Sequence, residues 1–297
     1  MTDGINDFVP CVVDIFDYIS IISYTHDKEI TDYLSSLVNI RVIWGGDNTI
    51  NEIRKSPVRP RCTEVCFADR YSLLLIDAAY INAMSNSKEI EEVAHSFFND
   101  TYLYDQNACG SPRLIYWVGD SDSIFKAKKI FWEAVRVYVK TRYEVQPVVA
   151  VDKLTMSYKA AIDLKGSKIV SKNDGLITRI DITACNDIFA LEEVTQGASY
   201  TEYRAPGGFY LEYSSDNMDA LKSFDSEKLQ TLTYICDKSS DESINAQSIN
   251  AQSIKSFILK NGMKGIDRVV PVGHSADFSF IWDGYNLIEE FTRVISG

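Results

Sequence analysis

Histidine is scarce in this chain: there are three, His26, His95 and His274, and no two are spaced three or four residues apart. HExxH and CxxC are absent, and Cys62-x-x-x-Cys66 has no second pair nearby, so no metal site is expected. There is no Gly-x-Ser-x-Gly elbow, which removes the usual serine-hydrolase signal. Long apolar runs are also missing. The nearest candidate, Phe8 to Ile22, carries Asp14 and Asp17 and has no basic residue before it. It reads neither as a membrane span, which needs roughly 18–20 apolar residues, nor as a signal peptide. Positive charge is in deficit, with 30 Lys and Arg against 42 Asp and Glu and a net charge of −12. Nucleic acid and anionic bilayers would both be repelled as main partners.

What is present reads as a globular α/β chain. The 297 residues suit two domains or one large α/β unit, and 45% hydrophobic with 24% charged residues excludes wholesale disorder. Six scattered cysteines (11, 62, 66, 109, 185 and 236) in a chain of this size point to reduced thiols and a cytoplasmic location. Ser20–Tyr24 and Asn39–Trp44 are β-rich runs around a helical pattern at Asp27–Leu37. After Gly45-Gly46, Thr49 with Glu52 suggests a capped helix, stopped by Pro57 and Pro60. Glu64–Phe67 and Tyr71–Ile76 are further strands. Asn86 with Glu89 caps a helix bearing Ile90, Val93, Ala94, Phe97 and Phe98. A polar loop, Asn99 to Pro112, leads to a strand at Leu114–Val118, and Asp120 caps a long helix from Ser121 to about Lys140. Strands at Leu176–Ile182, Phe209–Tyr213, Leu232–Cys236 and Arg268–Val272 follow, and Asp283-Gly284-Tyr285 opens a last helix, Asn286–Ile295. Alternating elements favour a parallel sheet with a boundary near 78–85. A perfect tandem Ser-Ile-Asn-Ala-Gln within Ser243–Ile254 belongs in an exposed loop or at a helix start, because five residues turn a helix by about 140°.

Two segments could carry chemistry. Strand, Gly45-Gly46-Asp47, then helix is a geometry in which backbone N–H groups face a phosphate, although Asp47 adds charge of the wrong sign and a plain capped turn fits equally. Cys109 stands apart from the other cysteines, which lie in or beside apolar runs. It sits in Asp105-Gln-Asn-Ala-Cys-Gly-Ser-Pro112, where small neighbours let a carbonyl approach and the backbone N–H of the cysteine itself can meet a developing oxyanion.

Tyr104-Asp-Gln-Asn-Ala-Cys-Gly-Ser-Pro-Arg-Leu-Ile-Tyr-Trp-Val-Gly119 resembles the nucleophile loop of the long-chain fatty acyl-CoA reductases. These are the fatty-acid reductase component of bacterial bioluminescence systems, within the aldehyde dehydrogenase superfamily. Val42–Ile50, Lys228–Tyr234, and Arg268–His274 with Trp282–Ile288 resemble the same family in the same order, so the likeness spans about residues 20–297. The resemblance implies an α/β fold with half of a nicotinamide-cofactor domain over 1–80 and a catalytic thiol domain over 81–297. It also implies NADPH-dependent reduction of a fatty acyl thioester, acyl-CoA or acyl-protein, to the aldehyde through a Cys109 acyl-enzyme. Gly45, Gly46 and Asp47 would lie on the pyrophosphate side of the cofactor. Phe67-Ala-Asp-Arg70 stands where hydrolytic relatives keep a general-base glutamate, which fits a reductase.

The resemblance further implies that the family begins well upstream of Met1. On that expectation the partner is either a chain supplying an N-terminal half or an acyl-protein synthetase, and the protein is an oligomer. A truncated remnant that only binds a partner chain, and a thiol transferase working through Cys109 without cofactor, remain as alternatives.

Overall fold

The computed structural model describes residues 15–84, 87–171, 175–185, 202–237 and 249–295. It divides into two compact units between Cys66 and Phe67.

The first unit holds α1 (Lys28–Leu37), β1 (Ile40–Trp44), α2 (Asp47–Arg54) and β2 (Thr63–Phe67), with β1 and β2 paired in a two-stranded sheet. Asp27 caps α1 by accepting from the N–H groups of Glu29 (2.9 Å) and Ile30 (3.2 Å). Glu64 ties the unit together, because its two oxygens accept from Arg54 (2.7 Å) and Arg41 (2.8 Å). Two expectations fail here. Ser20–Tyr24 is not a strand: no described strand pairs with it and Ile21 is 95% exposed. β-Propensity without a ladder for the N–H and C=O groups does not make a strand. Thr49 does not cap α2 either. Gly46, in extended conformation, is the cap residue, and Asp47 already occupies the first turn, where the helix dipole favours a carboxylate.

The second unit is built on a seven-stranded sheet. Its strands are β3 (Tyr71–Asp77), β4 (Pro112–Val118), β5 (Lys168–Ser171), β6 (Thr178–Asp181), β7 (Phe209–Ser215), β8 (Leu229–Ile235) and β9 (Arg268–Pro271), in the order β5-β6-β7-β4-β3-β8-β9. Only the β5–β6 pair is antiparallel. The division falls upstream of 78–85 because β3 hydrogen-bonds at the middle of this sheet, between β4 and β8. α3 (Ala78–Ala83), α4 (Ser87–Thr101) and α5 (Ser121–Lys140) lie on one face. There Phe97, Phe131 and Trp132 pack on Leu74, Ile76, Ile115 and Trp117. α6 (Pro147–Asp163) and α7 (Ala251–Lys260) supply Ala160, Ile254 and Ile258 to the other face, against Leu73, Leu75, Leu114 and Tyr116. Helices on both faces explain why β3 reads as a continuous apolar run: every residue from Tyr71 to Ile76 is buried.

The chain's end differs from expectation. Asp283 and Gly284, with φ of 50° and 78°, form the two-residue turn of a hairpin between β10 (Ile281–Trp282) and β11 (Tyr285–Asn286), and α8 covers only Leu287–Phe291. Two positive φ values in sequence are what a hairpin turn of this length requires, and Asp-Gly supplies them cheaply. The expected cap at Asn86 and the first copy of the tandem repeat lie outside the described residues. The second copy ends at the start of α7, where Asn250 and Ser253 form a capping box.

Candidate active site

Cys109 lies in the loop between α4 and β4, and three neighbouring elements hold it. The first is β3. Ladder register slips around Ser72 on both sides of the strand. The Ser72 hydroxyl takes the vacated position, donating to the Cys109 carbonyl (2.7 Å) and accepting from the Thr231 N–H (3.2 Å). The second is the segment after β9. A Cβ on Gly110 would stand 2.8 Å from the Ser275 carbonyl oxygen, so only glycine allows this approach. Asp100, 2% exposed, fixes that segment by accepting from the N–H groups of Gly273 (2.6 Å) and Ser275 (2.9 Å). Burial lifts its carboxyl above the ordinary value, against those two hydrogen bonds.

The third support is the loop's own. Asp105 and Gln106 both take left-handed backbone, φ 51° and 59°. Gln106 is fully buried, and its amide is saturated. It donates to the carbonyls of Pro112 and Phe209 (both 2.9 Å) and accepts from the N–H groups of Gly208 (3.0 Å) and Phe209 (2.9 Å). Tyr143 binds the Asp105 carboxylate at 2.7 Å.

The sulfur faces a polar cluster. The Gln230 amide nitrogen, on β8, donates to Cys109 Sγ at 3.3 Å and to Asp283 Oδ1. Arg70 pairs with Asp267, lies 3.7 Å from Asp283, and donates to the carbonyls of Leu229 (2.5 Å) and Gly265 (2.7 Å). Arg268 stacks on Trp282 at 4.5 Å and donates to the Ser275 carbonyl at 2.9 Å. Burial holds its guanidinium below the ordinary value, opposed by Asp277, Asp283 and Cys109. Cys109, Arg70, Gln230 and Arg268 thus all sit at the N-terminal starts of four adjacent parallel strands. Among the described residues the Cys109 backbone N–H has no hydrogen-bond partner, and no histidine ring bonds the sulfur. His274 turns to Asp277 (2.7 Å) and lines a cavity of about 840 Å³ beside Glu89, Glu92 and Asp237, which Cys109 does not reach.

Three of the other described cysteines, Cys66, Cys185 and Cys236, are poorer nucleophiles. Burial, with Asp77 and Asp237 nearby, pushes the Cys236 thiol to about 12, and burial also raises Cys66. Cys185 is buried. Gly45, Gly46 and Asp47 form the β1–α2 turn, as expected. A Cβ on Gly46 would meet nothing within 4 Å, whereas one on Gly45 would press on Thr49 at 3.1 Å. The helix start at Gly46 therefore borders open space and carries no side-chain cap.

Residues 7–153, just under half of the chain, match the family model described as acyl-CoA reductase (LuxC). The chain resembles the acyl-CoA reductases. The matched stretch holds both Cys109 and the Gly45–Asp47 turn, while the segments at 228–234 and 268–288 lie beyond it. A long-chain acyl-protein thioester reductase of Aliivibrio fischeri is 29% identical over 109 residues, 36% of this chain and 21% of that protein. The Vibrio harveyi protein of the same description is 30% identical over 115 residues, 38% and 22%. The match therefore spans about a fifth of these relatives. The fold is that of the aldehyde dehydrogenases. Aldehyde dehydrogenase 21 of Physcomitrella patens superposes with a TM-score of 0.51 at 13% identity, over 84% of this chain and 48% of that one. A putative methylmalonate-semialdehyde dehydrogenase of Sinorhizobium meliloti, complexed with NAD, gives 0.51 at 11% identity over 87% and 51%.

Sequence reasoning singled out Cys109 and the glycine turn but missed Gln230, Asp283, Arg70 and Ser72. Gln230 and Asp283 stood inside segments quoted for the family resemblance, yet nothing in their local sequence marks them as neighbours of a thiol.

Proposed function

We propose that this chain carries the acyl-accepting site of a fatty acyl thioester reductase, with Cys109 as nucleophile. The observation that carries the reading is a half-buried thiol with an amide donor on its sulfur, in a loop fixed on three sides, within the stretch that matches the reductase family. The Cys109 thiolate attacks the acyl carbon of an acyl-CoA or acyl-protein. A new C–S bond forms, the bond to the donor sulfur breaks, and the donor leaves as its thiol with the proton that Cys109 gave up. The Cys109 N–H, without a hydrogen-bond partner among the described residues, is the donor that would meet the oxyanion.

The Gly45–Asp47 turn fits a phosphate-bearing cofactor in one respect, the open helix start at Gly46, and opposes it in another, the Asp47 carboxylate. A nicotinamide cofactor, NADPH on the family pattern, would supply the hydride that reduces the acyl group to the aldehyde. A second reading, action through a partner chain or an acyl-protein synthetase, draws on the exposed apolar run Tyr18, Ile19, Ile21 and Ile22. The test is to incubate the chain with a fatty acyl-CoA, map the acylated peptide, and then follow aldehyde on adding NADPH. Acyl transfer to Cys109, absent in Cys109→Ala, is expected. Acyl label on another cysteine, or on none, overturns the assignment.

A further inference from the structure

We infer that Gln230 is a catalytic residue that donates one side-chain N–H to the Cys109 sulfur and favours the attacking thiolate, with Asp283 as the positioning residue that sets the amide that way round. The inference rests on reading Cys109 as the acyl acceptor.

An amide side chain can present oxygen or nitrogen to a neighbour, and the surroundings decide which. Here both ends are specified. The nitrogen lies against Asp283 Oδ1, where a carbonyl oxygen would be repelled, and the Thr231 hydroxyl donates to Oε1 at 3.4 Å. One N–H is spent on the carboxylate and the other points at Sγ, 3.3 Å away. The carboxylate is itself fixed. Its backbone is locked in the left-handed hairpin turn, its side chain is 5% exposed, and Arg70 stands 3.7 Å from it. Gln230 is fully buried. The donor is therefore oriented before any substrate arrives, which is what makes such a contact effective. It serves the thiolate most, since an acylated sulfur is a weak acceptor. The charged groups around this cluster are Arg70 ahead of β3, Asp100 on α4, Asp267 and Arg268 at β9, Asp277 after it, and Asp283 in the hairpin. Burial raises the Asp283 carboxyl, against the Gln230 hydrogen bond and the Arg70 charge.

Gln230→Leu keeps the volume and removes the donor. A hydrogen bond to a charged acceptor is worth about one unit in the midpoint of the thiol's pH–rate profile. At neutral pH the variant then holds about tenfold less thiolate. Each thiolate, however, is about threefold more nucleophilic, because reactivity rises with basicity at a slope of roughly 0.4–0.5. The two profiles must cross: Gln230→Leu alkylates about threefold slower near pH 7 and about threefold faster on the alkaline plateau.

The experiment is iodoacetamide labelling of the full chain from pH 6 to 10, with the Cys109 peptide quantified by mass spectrometry. Profiles that superimpose, or that differ by one constant factor at every pH, overturn the inference. Should Gln230→Leu fail to fold, Gln230→Met decides, because methionine is equally unable to donate, similar in length and more adaptable in a packed site, and it leaves the Asp283 charge in place. It should give the same crossing, and a profile that superimposes on the parent's overturns the inference. Iodoacetamide reads the sulfur whatever its natural acyl donor. Crossing profiles without acyl-CoA transfer would sink the proposed function and with it the catalytic role, leaving only the hydrogen bond from Gln230 to the sulfur; transfer with parallel profiles would keep the function and overturn the role of Gln230.

Discussion

Replacing Gln106 by alanine should destabilise the second unit by about 3–5 kcal/mol, although the residue touches neither the Cys109 sulfur nor the surface. Its amide makes four hydrogen bonds to backbone groups of two separate segments, all near 2.9–3.0 Å. Removing it leaves two N–H and two C=O groups unpaired in the interior, each worth about 1–3 kcal/mol of desolvation, and partial collapse of the loop returns some of that. Backbone conformation adds a second, separable effect. At φ 59° alanine bears the same left-handed strain as glutamine, roughly 1 kcal/mol, and glycine does not. Gln106→Gly should therefore be about 1 kcal/mol less damaging than Gln106→Ala. Urea unfolding followed by the fluorescence of Trp117 and Trp132, both in the core of this unit, measures both differences. A loss below about 1 kcal/mol for alanine, or no advantage for glycine, would refute the idea that this amide holds the nucleophile loop.

Gly110→Ala should cost about 1–3 kcal/mol and slow Cys109 labelling, since its Cβ meets a backbone oxygen at 2.8 Å that cannot swing away; equal stability by urea melt would contradict this. Gly46→Val should lower stability by only about 1 kcal/mol, the cost of a poor helix cap, because φ is −67° and the added side chain enters open space, yet abolish NADPH binding if the turn meets the pyrophosphate; unchanged affinity by calorimetry removes the turn from the cofactor site. Burial alone would raise the Glu64 carboxyl, but hydrogen bonds from Arg54 and Arg41 outweigh it and hold it below its ordinary 4.5. Its stabilising pairing is therefore complete above about pH 4.5 and lost as pH falls through the lower folded value. Glu64→Gln should flatten the acid limb of a stability profile while lowering stability near pH 7, and an acid limb as steep as the parent's would count against it.

The sheet was legible where strands are apolar on both faces. Leu73-Leu-Leu-Ile76 and Leu114–Val118 announce themselves because helices cover both sides. α6 was not, since Val148, Val151, Leu154, Tyr158 and Ile162 stay exposed and blur the two-sided pattern that marks an amphipathic helix. Cys109 was legible from its small, polar neighbours. Its partners were not, because Arg70, Gln230 and Asp283 meet only when β3, β8 and the hairpin assemble. Sequence distance hides a contact that sheet order creates. The glycine turn was legible as a turn, but its cap was misplaced by three residues: Thr49-x-x-Glu52 mimics a capping box inside a helix that begins at Asp47.

Ser72 explains why such a reactive position can be held so firmly. Ligand sites on open parallel sheets usually lie at the carboxyl ends of strands, where loops are free to vary. Cys109 lies at the opposite edge, and it is attached to β3, an interior strand with β4 on one side and β8 on the other. The register slip at Ser72 breaks the ladder to β4 and β8 at the same point. Uncompensated, a bulge in a central strand would leave buried N–H and C=O groups unpaired. Here one hydroxyl serves both sides, and the carbonyl it binds belongs to Cys109. The defect in the sheet and the attachment of the nucleophile are one feature. A loop tied in this way opens only when the middle of the sheet opens, so the geometry of the sulfur inherits the stability of the core rather than of its own loop.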